Sequence, residues 1–285
     1  MAKQSTVQMI FTAMFMIIAM LAFSTVAQAA QPEDSGLLWL VNRDNPLDED
    51  FRPGDLVEYR GIRLRRPAKE AYLEMVKAME AEGIPGLCLQ SAYRPYCYQR
   101  AIFEQRVKEL IAKGECHEAA VNTASHSIQR PGSSEHQLGL ALDVSMDGIL
   151  SQAFADTPAG RWIEEHCYKF GFVIRYPRDK THITNIIFEP WHLRYVGAPH
   201  STIMKEQALT LEEYHYVLTQ IPMYMVWNDD SSYYLVYYTD HLPCNVLGQP
   251  TDTVETPVMT ISSTKPGRNS GYIVSVKKNC PVQSV

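Results

Sequence analysis

Two short stretches of this chain carry residue types that bind metals and move protons. The first, residues 134–143, contains His136 and Asp143, and the second, further along the chain, ends in His192. Catalytic zinc sites in hydrolases usually take three protein ligands from His, Asp or Glu and leave a fourth position for water. The residue types therefore predict a zinc site with His136, Asp143 and His192 as its ligands.

Glu189 stands three residues before the last predicted ligand, close enough to act on a water at the metal. Zinc lowers the pKa of its bound water to about 7. A nearby carboxylate then takes the proton as the water attacks a carbonyl carbon, and it can pass that proton to the leaving amine. Pro190 disfavours helix at Glu189 and favours an extended backbone there. Glu189 is therefore the predicted general base.

The first stretch also has the alternation of a strand over residues 139–144. Leu140, Leu142 and Val144 would face a core, and Asp143 would face the opposite side with small neighbours. That arrangement leaves room beside the ligand for a metal and a substrate.

Taken together, the two stretches read Ser-x-His-x-x-Gly-x-Ala-x-Asp and Glu-x-x-His, a pattern that resembles the LAS-type zinc peptidases, and specifically the VanY-like D-alanyl-D-alanine carboxypeptidases. The likeness runs from about residue 67 to residue 214. Other blocks that resemble the family are Ser91-Ala92-Tyr93-Arg94, Tyr98-Gln99, Pro131-Gly132, Arg175-Tyr176-Pro177 and Leu193-Arg194-Tyr195-Val196-Gly197.

The resemblance implies further roles and a substrate. Arg94 matches the family arginine that stabilises the negative charge developing on the carbonyl oxygen. Ser134 and Gln99 match positions that contact the terminal carboxylate of the peptide. The implied activity is removal of the terminal D-Ala from peptidoglycan stem peptides by a zinc-activated water. The implied fold is α+β, with a small, mostly antiparallel sheet and packed helices around the zinc, as in the hedgehog and D,D-peptidase domains.

Three alternatives stay open on the same scaffold. An L,D-carboxypeptidase, a D,D-dipeptidase or a wall endopeptidase would keep the metal and cut a different bond. A non-catalytic zinc-containing binding module, as in hedgehog signalling domains, is disfavoured because such a site needs neither Glu189 nor Arg94. None of the six cysteines has CxxC spacing or marks an activated thiol, so a structural zinc site and a cysteine nucleophile are both disfavoured.

Residues 1–29 have the pattern of a secretory signal peptide, with Lys3 before an apolar run and a small-x-small cleavage site at 27–29. The sequence therefore predicts export to the periplasm, the cell envelope or the medium, with a membrane tether only if the segment stays uncleaved. Export makes disulfides reasonable, and Cys244 with Cys280 is the predicted pair because both lie near the C-terminus.

The remaining composition is that of a globular protein: 285 residues, 46% hydrophobic, with a net charge of −6. Without a basic run, nucleic acid is excluded as an expected partner. Nothing in the sequence indicates an oligomeric state.

The predicted organisation is a leader packed on the core at 30–66, the catalytic domain at 67–220 and a small β module of unknown role at 221–285. Within these regions the patterns predict the following elements. Helices are expected at 67–82, 99–113, 157–168 and 200–220, strands at 87–91, 172–175 and 186–189, and loops without regular structure at 115–132 and 176–185.

Overall fold

The computed structural model describes residues 34–229, 232–240, 259–265 and 271–279. The predicted signal peptide and the predicted Cys244–Cys280 pair lie outside this range. Cys88, Cys97, Cys116 and Cys167 are all free thiols. Within the described residues, no helix has the length and apolar character needed to cross a bilayer.

The leader contains more regular structure than its composition suggests. Leu38 and Val41 are buried, as expected of a segment packed on the core. Strands β1 (Leu56–Tyr59) and β2 (Ile62–Arg65) then form an antiparallel hairpin. Arg60 and Gly61 both have positive φ in its turn, at 50° and 83°, the geometry of a type I′ hairpin. The composition of this region predicts only an extended leader, so the hairpin corrects that prediction.

Seven helices follow the hairpin in the described chain. They are α1 (Arg66–Ala81), α2 (Tyr96–Ala112), α3 (His117–Ala124), α4 (Pro158–His166), α5 (Thr181–Thr184), α6 (His200–Glu206) and α7 (Leu211–Gln220). Three short 3-10 turns lie at Glu135–Leu138, Gln152–Asp156 and Cys167–Phe170. Pro at the start of α1 and α4 suits the first helical turn, where its missing N–H has no partner to lose.

The central sheet holds the predicted catalytic stretches. It consists of β3 (Cys88–Ser91), β4 (Ala141–Ser145), β6 (Glu189–Tyr195) and β5 (Phe172–Tyr176), in that order and all antiparallel. One face packs on a core that includes Leu140, Leu142, Val144 and the buried side of α1. The predicted α+β class with a mostly antiparallel sheet is confirmed.

Several predicted elements are wrong in their bounds. The region at 115–132 was expected to be a loop but contains α3, and the loop at 176–185 contains the short α5. The strand expected at 186–189 instead begins at Glu189 and continues to Tyr195, so the second catalytic stretch lies within it. The single helix expected at 200–220 is two helices, separated where Ala208 adopts a φ of 51°.

The described part of the C-terminal region consists of β-strands. Within the described residues it has four antiparallel strands, β7 (Tyr224–Asp229), β8 (Ser232–Thr239), β9 (Met259–Ser263) and β10 (Tyr272–Asn279), in the order β7-β8-β10-β9. Val236 and Ile273 are buried in one cluster with Leu38, Ile203 and Tyr214 from the preceding residues. The module therefore shares a hydrophobic core with α6, α7 and the leader.

Candidate active site

The two predicted metal-binding stretches meet on neighbouring strands. Asp143 on β4 lies directly opposite His192 on β6 in the antiparallel register. Cross-strand partners project from the same face of a sheet with their Cβ atoms about 5 Å apart. Leu142 and Leu193 project the other way, into the core. The alternation predicted from the sequence therefore places Asp143 and His192 side by side on the face away from that core.

His136 comes to the same face from the 3-10 turn that precedes β4. The turn ends at Gly139, whose φ of 69° is one that residues with a side chain rarely adopt. A Cβ at this position would also lie 3.0 Å from Leu56 Cδ2. Glycine thus allows the chain to reverse sharply between His136 and the strand that carries Asp143.

Backbone contacts fix the orientation of the His136 ring. Its Nδ1 lies 2.6 Å from the carbonyl oxygen of Ala92. A carbonyl only accepts hydrogen bonds, so Nδ1 carries the proton and Nε2 keeps a free lone pair. The backbone N–H of Arg94 donates in turn to the carbonyl of His136 at 3.1 Å. The first contact fixes the tautomer that a metal ligand needs, and the second holds the backbone of His136 in place.

The distances among the three side chains fit a metal. His136 Nε2 lies 3.2 Å from Asp143 Oδ2, and His192 Nδ1 lies 3.2 Å from Asp143 Oδ1. Ligands about 2.0–2.2 Å from a tetrahedral zinc are roughly 3.3 Å apart. The candidate ligand atoms of all three residues lie within 4.8 Å of one another, and all three residues are buried. Buried polar atoms normally have a hydrogen-bond partner, yet His136 Nε2 and Asp143 Oδ1 make no well-aligned bond to the described residues.

The protonation states favour cation binding. Burial, followed by the positive charge of Arg94, lowers the pKa of His136 to about 4. Burial alone would raise the pKa of Asp143, but the two histidines outweigh it and hold this pKa well below its usual value. The site at neutral pH therefore offers a neutral imidazole and a carboxylate, both able to donate a lone pair.

Glu189 lies at the first position of β6, with its Oε2 3.6 Å from His192 Nδ1. Burial, followed by repulsion from Asp143, raises the pKa of Glu189 well above its usual value, and Arg94 opposes that shift. A carboxyl group with a raised pKa can both accept and return a proton, which suits a general acid and base. The structure thus brings the predicted base to the predicted ligands.

Arg94 follows β3, and its side chain lies beside Asp143. Its Nη2 lies 3.9 Å from Asp143 Oδ2, and its buried Nε makes no hydrogen bond to the described residues. The Arg94 side chain is about one-fifth exposed. Arg94 therefore places a fixed positive charge beside the candidate metal, with hydrogen-bonding capacity left for another group.

Ser134 and Gln99, the two predicted substrate contacts, are both buried. Ser134 stands at the start of the 3-10 turn, two residues before His136. Gln99 Nε2 donates to the carbonyl of Gln129 at 2.6 Å, whereas its Oε1 has no partner within the described chain. Their role toward a substrate stays a prediction.

Tyr176 is a site residue that the sequence analysis did not single out. Its ring centroid lies 4.9 Å from that of His192, and it pairs with Glu189 across β5 and β6. Its buried hydroxyl lies near the Gln129 side chain without a well-aligned hydrogen bond. The Arg175-Tyr176-Pro177 block noted in the sequence was the available signal.

The fold and this His-Asp-His arrangement define a single-metal peptidase site. A family model described as VanY, D-alanyl-D-alanine carboxypeptidase, matches residues 61–198. A D-alanyl-D-alanine carboxypeptidase of Enterococcus faecalis is 38% identical over 193 residues, 67% of this chain and 70% of that protein. The chain spans 66% to 70% of the length of three curated relatives that it matches.

Two solved structures extend the comparison. A mutant of the vancomycin-resistance D,D-pentapeptidase VanY in complex with Zn(II) is 38% identical, with a TM-score of 0.57, covering 64% of this chain and 99% of its own. The LD-carboxypeptidase LdcB is 36% identical, with a TM-score of 0.56, covering 62% of this chain and 84% of its own. The chain belongs to the VanY family of LAS-type zinc peptidases, and it is a zinc carboxypeptidase.

Proposed function

We propose that this enzyme removes the terminal D-Ala from peptidoglycan stem peptides that end in D-Ala-D-Ala. The observation that carries the proposal is the convergence of three ligand-type side chains, Glu189 and Arg94 at one buried place on the sheet. The relatives named for this reaction supply the substrate class.

In this proposal His136, Asp143 and His192 hold the zinc. The bound metal supplies Lewis acidity, which lowers the pKa of a coordinated water and polarises a carbonyl. The neutral His136 and the ionised Asp143 are already in the protonation states that ligation requires. The sheet register that pairs Asp143 with His192 preorganises two of the three ligands before any metal arrives.

Glu189 and Arg94 have separate roles in the hydrolysis. Glu189 takes the proton from the attacking water and delivers it to the nitrogen of the departing D-Ala. The Arg94 guanidinium stabilises the negative charge that builds on the carbonyl oxygen as the water adds to the carbonyl carbon, before the C–N bond breaks. No covalent enzyme intermediate is needed, because water is the nucleophile.

A carboxypeptidase must also recognise the free end of its substrate. We assign Ser134 and Gln99 to the terminal carboxylate, since both are buried and both have donors for it: the Ser134 hydroxyl, and the second N–H of the Gln99 amide, whose other N–H goes to the carbonyl of Gln129. Hydrogen bonds to a charged carboxylate are about twice as strong as neutral ones. Such contacts would favour cleavage of the last residue over internal cleavage.

L,D-carboxypeptidase activity is the second candidate. It is favoured by the likeness to LdcB, which is nearly as similar as the VanY structure. The residues that hold the zinc and move the proton would be shared, so the two activities would differ in the residue accepted before the scissile bond, which is D-Ala in one and an L-residue in the other.

We also propose that the enzyme works outside the cytoplasm. The signal-peptide pattern of residues 1–29 supports export, and the proposed substrate lies in the cell wall. The predicted Cys244–Cys280 pair would be compatible with an oxidising compartment.

Product masses from defined peptides test the proposal. The zinc-loaded protein is incubated with a pentapeptide ending in D-Ala-D-Ala, a tetrapeptide ending in one D-Ala, and free D-Ala-D-Ala. We expect loss of one alanine from the pentapeptide, abolished by a chelator and restored by zinc. Loss of alanine mainly from the tetrapeptide would instead favour the L,D activity, and cleavage of the free dipeptide a dipeptidase.

A further inference from the structure

A buried cluster of charged side chains lies next to the zinc ligands and takes no part in the chemistry proposed above. Glu135, the residue before His136, is fully buried. Its Oε1 lies 2.8 Å from Arg175 Nε and 2.8 Å from Arg194 Nη1, and both arginines are themselves buried. The sequence context of Glu135 alone predicts no role for it.

The register of the sheet relates this cluster to the metal site. Arg194 on β6 is two residues beyond His192, so both side chains project from the same face. Arg194 pairs with Ala141, as His192 pairs with Asp143. The cluster and the ligands therefore lie at alternate residue pairs of β4 and β6, on the same face and roughly 7 Å apart, with the Leu142–Leu193 pair between them on the other face.

Side chains of the 3-10 turn contact residues at both of these positions of the sheet. His136 contacts Asp143, which in turn contacts His192, and Glu135 contacts Arg194. The turn itself is only four residues long and has no side-chain cap at its start. The ion pairs of Glu135 are thus a principal side-chain attachment of the turn to β5 and β6.

The two arginines of the cluster also contact α7 and the leader. Arg175 makes a two-pronged contact with Glu212 in the first turn of α7, at 2.9 and 2.7 Å. Arg194 Nη2 donates to the carbonyls of Leu37 and Trp39 in the leader. The cluster contains two arginines and two glutamates, so its formal charges balance.

We propose that Glu135 is a positioning residue that holds the His136 ring at metal-binding distance from Asp143 and His192. Ligand geometry at such a site must be kept within about 0.5 Å. Loss of the Glu135 carboxylate would leave two buried guanidinium groups with one counter-charge between them, and they would repel each other. The turn would then lose its attachment to β6, and His136 would move relative to the other two ligands.

This inference depends on the zinc ligand set of the proposed function, so zinc binding by the wild-type protein is measured first. Zinc affinity is then compared by chelator competition for Glu135→Gln, and for Glu212→Gln, which releases only the outer end of Arg175. Glu109→Gln is the matched control, because Glu109 pairs with Arg106 at 3.4 Å on an exposed helix face. The melting temperature of each metal-free protein and the visible spectrum with cobalt in place of zinc are recorded alongside.

We expect Glu135→Gln to bind zinc at least about 10-fold more weakly, the lower end of the usual effect of residues that orient metal ligands. Its cobalt spectrum should also change, which a general loss of stability in a still-folded protein would not cause. Glu212→Gln should show a smaller loss, and Glu109→Gln none. If Glu135→Gln does not fold, Glu135→Asp decides by the same criteria, because its carboxylate is one methylene too short to stay 2.8 Å from both Arg175 and Arg194.

A folded Glu135→Gln or Glu135→Asp protein with wild-type zinc affinity and cobalt spectrum would overturn the positioning role and leave the proposed function intact. A wild-type protein that binds no zinc would instead contradict the ligand set itself, and the positioning role with it.

Discussion

At the scale of single residues, the pKa of Glu189 is set by effects of opposite sign. Burial and Asp143 disfavour its ionised form, whereas Arg94 favours it. A carboxylate held in this way is poised to take a proton when a cation and a water are beside it, and to release the proton to a leaving amine. The same side chain is not needed to complete the three-ligand set.

Replacing Glu189 by glutamine should therefore separate chemistry from metal binding. We expect Glu189→Gln to lower kcat by about 10²- to 10⁴-fold, the usual contribution of a general base, with one zinc still bound per chain. Steady-state hydrolysis of a D-Ala-D-Ala pentapeptide and metal analysis measure the two effects. Glu104→Gln, at an exposed position of α2, is the control, and near wild-type turnover of Glu189→Gln would remove the base assignment.

The site residues differ in how visible they are in the sequence. His136, Asp143, Glu189 and His192 were predicted because metal ligands and their base keep fixed local spacings. Glu135 was not, because a buried carboxylate and a solvated one look alike in a sequence. Its partner Arg175 is 40 residues away, and only the fold brings the two together.

At the scale of elements, the break between α6 and α7 creates a buried polar contact. His200 begins α6, and its Nδ1 lies 2.8 Å from the hydroxyl of Tyr214 on α7. Burial, followed by repulsion from His215, lowers the pKa of His200 to about 3. The folded protein therefore holds His200 neutral at pH values where the unfolded chain would protonate it.

This shift predicts the pH dependence of stability. The folded-state pKa lies below the unfolded value of about 6.5, so the contribution is complete above pH 6.5 and is lost as the pH falls toward 3. The loss approaches about 1.4 kcal/mol per pH unit for this one group. Urea unfolding from pH 7.5 to pH 5 should show a shallower pH dependence for His200→Asn than for wild type. His117→Asn, an exposed substitution on α3, should keep the wild-type slope; an unchanged slope in His200→Asn would contradict the prediction.

The helices and strands were predictable to different degrees. The helix beginning at Pro67 and the strand through Asp143 were expected, because apolar spacing and alternation mark them strongly. The segment at 117–124 has only Ala120 and Ala124 as its buried residues, so its periodicity is weak and α3 was missed. The β1–β2 hairpin was missed because its turn, Arg60-Gly61, is not among the strongest turn dipeptides.

At the scale of the whole molecule, the C-terminal sheet is more than an appendage in its packing. Its β-type runs were visible in the sequence, but their packing partners were not. Val236 and Ile273 pack against residues of the leader and of α6 and α7, and the described residues from 34 onward belong to one compact unit. The boundary predicted at residue 221 stays a prediction, yet the shared core implies that both sides of it unfold together.

Truncating Ile273 tests that coupling. Ile273→Ala removes a side chain that is 1% exposed, and such substitutions typically cost about 2–5 kcal/mol. We expect one cooperative unfolding transition that shifts as a whole, measured by tryptophan fluorescence and circular dichroism in urea. Ile149→Ala, at a position that is 62% exposed, should leave the midpoint nearly unchanged. A second transition that alone responds to Ile273→Ala would show an independently folding module.

The proposed zinc site has two histidines and one aspartate as its protein ligands, with a place left for a non-protein ligand. A crystal structure of the zinc-loaded protein, with anomalous scattering recorded at the zinc absorption edge, tests it most directly. We predict one zinc about 2.0–2.2 Å from His136 Nε2, His192 Nδ1 and an oxygen of Asp143, with a water in the remaining position. A zinc bound elsewhere, or one whose fourth position is filled by Glu189, would contradict the account.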